Sequence, residues 1–176
     1  MKTPALRLHA EVLPVVIIDS REQTPLSFAH LQSRVGTLTS GDYSAAGLEH
    51  FAAIERKSVA DLVASVTRER DRFERELHRL RGFSFARVII TASRESIERG
   101  EYRSAASPKA VLASCDTFEV RYGVPFVFAP DEASAAALVE RWLWLCARET
   151  VKNCNELLRG TESADVDSVP GATAAP

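Results

Sequence analysis

Asp42, Glu55 and Lys57 are the residues whose types and spacing could do chemistry. They lie within the stretch SGDYSAAGLEHFAAIERKSVAD (residues 40–61), with apolar or small residues between them. If the segments flanking Gly47-Leu48-Glu49-His50 pair as a hairpin closed by Ala46 and Phe51, Asp42 stands opposite Glu55. Directly opposed residues of an antiparallel pair have Cβ atoms roughly 4.5–5.5 Å apart on one face. Side chains alternate along a strand, so Lys57 follows Glu55 onto that face while Ile54 and Arg56 point the other way. Two carboxylates that close disfavour double ionisation. A divalent cation removes the repulsion, and the neighbouring ammonium adds a charge suited to phosphate. The pattern is that of a hydrolytic metal site. The bare spacing fits a solvated hairpin face equally well, and Leu48-Glu49 lacks the Asn-Gly signature of a tight turn.

The elements that must position these groups are legible on either side. Pro14-Val15-Val16-Ile17-Ile18 is a β-branched run with the pattern of a strand buried on both faces, and Asp19 closes it. Residues 34–40 and 42–46 read as strands broken at Gly41, and Phe51–Ile54 as the strand that delivers Glu55 and Lys57. Ser58-Val59-Ala60-Asp61 fits a capping box, which gives Asp61 a helix-start duty. The helix it opens carries Leu62, Val66, Phe73, Leu77 and Leu80 at helical spacing, with Arg70 on the same stripe. Arg68, Arg72, Arg75 and Arg79 alternate with acids and read as its solvated, ion-paired face.

Arg87–Ala92 is a further buried strand. Ser107-Pro108 starts a helix that stops at Gly123. Val124–Phe128 is another strand, and Asp131 caps a helix expected to run to about Asn155. Strand, hairpin, helix, strand, helix, strand, helix gives an α/β fold, a mixed sheet flanked by helices. Residues 1–158 read as one domain and 159–176 as a small-residue, acidic, disordered tail.

Gly41-Asp42-Tyr43, then Glu55-Arg56-Lys57, then Asp61 resembles the Gly-Asp-X(n)-Glu-Arg-Lys-X3-Asp signature of the XPF/Hef-type nucleases. Asp19-Ser20-Arg21-Glu22 after its strand resembles that family's Asp-x-Arg-Glu. Leu38-Thr39-Ser40 before the Gly-Asp, and Asp61–Ser65 followed by Arg70, fall at the family's spacing. The likeness is motif-specific from about Val15 to Leu80 and looser to about Leu145.

The resemblance implies a restriction-endonuclease-like fold and hydrolysis of DNA phosphodiesters at branched or flapped structures in repair or recombination. Asp42, Glu55 and Lys57 become the expected catalytic set. Asp19 and Glu22 join Asp42 and Glu55 as expected metal ligands, and Arg21, Arg56 and Arg70 are expected DNA contacts. All-oxygen ligation suits Mg²⁺ or Mn²⁺. Lysine near its ordinary pKa is a poor base at neutral pH, so Lys57 is expected to act by charge. The resemblance also implies a homodimer through the nuclease domain, and Trp142–Cys146, apolar almost all round, could serve it. Nothing after Trp142 resembles the helix-hairpin-helix module common in that family, so that either a partner protein supplies DNA-structure recognition or the domain binds weakly alone. A non-catalytic DNA-binding or scaffolding subunit is the alternative, and an RNA phosphodiester is a third reading.

Composition bounds these expectations. The chain has 176 residues, 45% of them hydrophobic, and a formal net charge of −2. Charge alone therefore makes no case for nucleic acid, although arginines crowd between Arg56 and Arg103 and the tail is acidic. Cys115, Cys146 and Cys154 are widely spaced, which argues for reduced thiols in a cytoplasmic compartment. No apolar run approaches a membrane span and no signal peptide is read.

Overall fold

The structure, a computed structural model, describes residues 13–164, with side chains as far as residue 159. Most of the lead-in and of the expected tail lies outside the described residues. Within them, six strands form one sheet. The strands are β1 (Val16–Asp19), β2 (Ser33–Gly36), β3 (Tyr43–Ala45), β4 (Ala52–Lys57), β5 (Phe85–Ile90) and β6 (Phe126–Phe128). The helices are α1 (Val59–Val66), α2 (Arg70–Leu80), α3 (Arg94–Glu98), α4 (Pro108–Tyr122) and α5 (Glu132–Ala164). Spatial order is β2-β1-β3-β4-β5-β6, with antiparallel pairing at β1–β3 and β3–β4 and parallel pairing elsewhere. This is the mixed α/β sheet expected from the element order.

Helices cover both faces, which is why Val16–Ile18 of β1 and Val88–Ile90 of β5 are apolar runs with no polar alternation. One core packs Ala53, Val88 and Ile90 against Leu62, Phe73, Leu77, Val111 and Phe118 from α1, α2 and α4. The other packs Val16, Tyr43, Ile54 and Ile89 against Ala136, Val139 and Leu143 of α5. β4 therefore sends Ala53, Glu55 and Lys57 toward α2, and Ala52, Ile54 and Arg56 toward α5. Trp142–Cys146 is divided accordingly. Leu143 and Cys146 are buried, while Leu145 is exposed.

Two departures from the pattern have local causes. The stripe from Leu62 to Leu80 is not one helix. At Thr67, φ −118° and ψ −100° leave the helical region, and the Thr67 hydroxyl donates to the Val63 carbonyl at 2.6 Å. A threonine that bonds its own preceding turn offers the backbone an alternative to helix continuation. Residues 37–42 do not extend β2, because the Leu38 amide donates to the Asp19 carboxylate at 2.7 Å. The chain is thereby turned across the end of β1, and β1 inserts between β2 and β3. α5 runs to Ala164, beyond the expected end near Asn155. The Ser58, Ser107 and Asp131 caps form as expected. The short α3, capped by Ser93, was not expected from the sequence.

α5 is tied by a buried acid to the segment that leads into β2. Both the His30 and Leu31 amides donate to Glu140 Oε1, at 2.7 and 2.8 Å, and Glu140 is buried. Removal of that oxygen leaves two backbone donors to find other partners, and a buried unsatisfied group costs about 1–3 kcal/mol. Glu140→Ala is expected to lower stability in urea melts by about 2–4 kcal/mol, whereas Glu140→Gln keeps the accepting oxygen and should recover most of the loss. Equal losses in the two variants would show that the carbonyl-type acceptor is not what matters. No helix of the described residues is long and apolar enough to cross a membrane, and the three cysteines are free thiols.

Candidate active site

The hairpin forms in the register that a loop closed by Ala46 and Phe51 requires, with Tyr43 paired to Ile54. Gly41 makes the entry possible. Its φ is +78°, and a Cβ there would lie 3.1 Å from the Ile54 carbonyl oxygen. Just beyond it the Asp42 amide donates to the Ile54 carbonyl at 2.8 Å, and the Asp42 carbonyl accepts from the Asp19 amide at 2.8 Å. β1, β3 and β4 are thus stitched together at the point where their acids emerge. The Arg56 amide donates to Asp42 Oδ2 at 2.7 Å, fixing that side chain on β4.

These side chains line one polar cleft of about 530 Å³, which holds Asp19, Arg21, Glu22, Asp42, Glu55, Arg56, Lys57 and Asp61. The sheet ends bring together every expected site residue except Arg70. That arginine lies on the far side of α2. It pairs with Glu74 at 3.1 Å, donates to Ser114 Oγ at 3.2 Å and stacks over the Phe118 ring at 4.5 Å. Its place on the apolar stripe is explained by those partners.

Burial sets the electrostatics. Asp42 is pushed up to about 6, first by desolvation and then by the charges of Glu22 and Glu76, against the pull of the Arg56 amide and Lys57. Glu55 is raised well above the ordinary carboxylate range by burial, then by Asp42, with Lys57 opposing. Lys57 bonds Glu55 directly and reaches Glu76 Oε2 at 3.5 Å. Burial is the largest single influence on its amine and pushes it down, but Glu55, Glu76 and Asp42 together outweigh that and raise it. Lys57 therefore stays an ammonium at neutral pH.

Asp19 and Glu22 are engaged differently. Arg21 grips both Asp19 oxygens, at 2.6 and 3.2 Å, and the Arg21 and Leu38 amides also donate to them. Burial raises the Asp19 carboxyl more than any other influence, yet these donors together bring it below its ordinary value. Glu22 accepts from the Thr24 amide at 2.8 Å and pairs with Arg56 at 3.5 Å. Arg56 also reaches Glu132 at the start of α5 and the Thr24 hydroxyl, while its Nε is buried without a partner. Among the described residues, no three His, Cys, Asp or Glu side chains converge as a ready metal cage.

The cleft also contains Arg72, Glu76 and Arg79, which by sequence alone belong to a solvated, ion-paired helix face. Arg79 donates to Ser40 Oγ at 3.3 Å across the cleft. Their spacing of four and then three residues was the available signal. It places them one position before the buried Phe73, Leu77 and Leu80, on the edge of α2 that borders the sheet.

An ERCC4 domain model matches residues 18–141, which takes in the motif-specific stretch to Leu80 and most of the looser likeness beyond it. Among solved structures, XPF from Aeropyrum pernix superposes with a TM-score of 0.61 at 21% identity, covering 76% of this chain and 61% of that one. The same protein in complex with DNA gives a TM-score of 0.60 at 20% identity, covering 78% and 66%. The chain therefore spans about three fifths to two thirds of those structures. The likeness is one of fold, the restriction-endonuclease-like arrangement. No curated protein matches the sequence closely enough to count as a relative.

Proposed function

The chain belongs to the ERCC4 domain family, and from that membership we propose that it is a divalent-metal-dependent endonuclease that hydrolyses DNA phosphodiesters. The observation that carries this reading is the meeting of Asp42, Glu55 and a protonated Lys57 in one polar cleft. The relatives of known structure, one of them bound to DNA, add weight to DNA as the substrate.

The donor set suits Mg²⁺ or Mn²⁺. Asp42 and Glu55 offer oxygen only, and both carboxyls are raised by burial and by neighbouring negative charge, a cost that a hard cation offsets. They are the residues that would hold it, with Asp19 and Glu22 available once Arg21 and Arg56 release them. Such an ion, when bound, would neutralise phosphate charge and lower the pKa of a water. Lys57 supplies fixed positive charge where negative charge develops. Arg21, with a side chain 68% exposed at the cleft, is placed to touch backbone phosphate. Arg56 acts from behind β4, holding the strand to Glu22 and Glu132, and Arg70 steadies α2 against α4.

Branched or flapped DNA of repair and recombination is the proposed substrate class. A second copy of the chain, or a partner protein, is the proposed source of grip on a branched duplex. Incubation with labelled flap, fork, junction and linear DNA should give cleavage with Mg²⁺ or Mn²⁺ and none with EDTA, and RNA run in parallel should survive. The rival reading is a scaffold that binds without cutting. It draws on the engagement of Asp19 and Glu22 by arginines and on the absence of a ready cage among the described residues. Salt-sensitive binding with no cleavage under any metal would establish it instead.

A further inference from the structure

We infer that Glu76 is the positioning residue for Lys57, a role that rests on the cleft being the nuclease site proposed above. Lys57 Nζ lies against two carboxylates carried by different elements, Glu55 two residues earlier on β4 and Glu76 from α2. The Phe73 ring lies 5.2 Å from the same nitrogen. The lysine side chain is 13% exposed and that of Glu76 19%, so the pair meets mostly out of water, where ion pairs are strong if their geometry is held.

Glu55 cannot be a permanent anchor. It is also a candidate ligand of the site, and whenever another partner in the cleft draws its carboxylate, Lys57 loses its nearest acceptor. The ammonium sits on a flexible four-carbon stem at the very end of β4 and would then be free to turn toward solvent. Glu76 prevents this. α2 is fixed by Phe73, Leu77 and Leu80 in the core, so its carboxylate stays put when Glu55 moves, and the ammonium is retained at the mouth of the site with Phe73 beneath it. Glu76 touches no reacting atom in this account and acts through Lys57. The residue lies outside the Glu-Arg-Lys stretch by nearly twenty positions and is brought in only by the fold.

The test uses the whole chain, with melts and circular dichroism confirming that each variant folds. In ¹⁵N–¹H correlation spectra of lysine side-chain ammonium groups, Lys57 should give an observable signal in the parent, assigned by its loss in Lys57→Arg. In a Glu55→Ala background, which removes the nearer acceptor, that signal should vanish by fast exchange when Glu76→Ala is added and be kept when Glu76→Gln is added instead, whose carboxamide oxygen still accepts. In cleavage assays Glu76→Ala should lower kcat by about 10- to 100-fold with KM for DNA changed less than about threefold, and Glu76→Gln should restore most of kcat. A Lys57 signal that persists when Glu55→Ala and Glu76→Ala are combined overturns the inference, as does a kcat in Glu76→Ala alone within twofold of the parent. If the parent itself cuts no DNA, the nuclease reading fails, while the spectra still decide whether Glu76 holds Lys57.

Discussion

Asp42→Asn is expected to abolish DNA cleavage, by a factor on the order of 10³, and at the same time to raise the melting temperature at pH 7.5. The first effect comes from removing an anionic oxygen of the proposed site. The second comes from burial. In the folded chain the Asp42 carboxyl is pushed up to about 6 from an ordinary value of 3.8. Between those values the folded state binds more protons than the unfolded one, so this group's contribution to stability grows as pH falls through about 6 and is fully present below about 4. Above 6 the folded chain carries a buried charge that the unfolded chain ionises at less cost.

Asparagine removes that charge and still offers an oxygen to the Arg56 amide, now held at 2.7 Å. The gain at pH 7.5 is at most about 3 kcal/mol, a rise of several degrees for a chain of this size, with roughly 2–4 °C for each kcal/mol. Melts in chelator at pH 7.5 and at pH 4.5 are the measurement. The difference between variant and parent should be large at the higher pH and shrink at the lower one. A variant less stable than its parent at pH 7.5, or a gap independent of pH, would rule out buried-charge strain at Asp42.

The second large effect is expected at Gly41. Gly41→Ala places a Cβ 3.1, 3.2 and 3.3 Å from the carbonyl oxygen, amide nitrogen and carbonyl carbon of Ile54, at a φ of +78°. Those neighbours are backbone atoms of the central hairpin and cannot swing aside as a side-chain end would. Left-handed backbone alone costs an L-residue roughly 1–2 kcal/mol, and the crowding adds to it, so a loss of about 2–4 kcal/mol is expected.

Cleavage should fall further than stability explains. Displacing β3 from β4 separates Asp42 from Glu55, and small misplacements of reacting groups are costly. Gly47 is the internal control. Its φ is +83°, yet nothing lies within 4 Å of its would-be Cβ. Gly47→Ala should therefore show only the conformational cost, about 1–2 kcal/mol, with cleavage intact in the folded fraction. Chemical denaturation and single-turnover cleavage on both variants separate the two costs, and equal penalties at 41 and 47 would show that crowding against Ile54 plays no part.

Proteins commonly hold their sites at a cost in stability, and this cleft does so with two raised carboxyls facing an ammonium. The tension is consistent with a site suited to a divalent cation and a phosphate. It also explains why Lys57 serves as a resident counter-charge when neither is bound.

The sequence by itself determined where most of the strands lie, the starts of α1, α4 and α5, and the register of the hairpin. Those features depend on neighbours along the chain. Short β-branched apolar runs with no polar alternation fit strands covered on both faces, and Ser58, Ser107 and Asp131 each cap the helix that begins at the next residue. The two-residue period of a strand puts Glu55 and Lys57 on one side and Arg56 on the other. The tertiary structure alone decided what those side chains meet. Asp19 is taken by Arg21 and the Leu38 amide, Arg56 reaches Glu22 and Glu132, and Arg70 settles on Glu74, Ser114 and Phe118. Arg72, Glu76 and Arg79 enter the cleft because α2 breaks away from α1 at Thr67 and packs its edge beside the ends of β3 and β4. Several of these pairings, such as Arg56 with Glu22 and Glu132 and Arg70 with Ser114 and Phe118, join residues tens of positions apart, and their partners are chosen by how helices sit on the sheet, which no local spacing encodes.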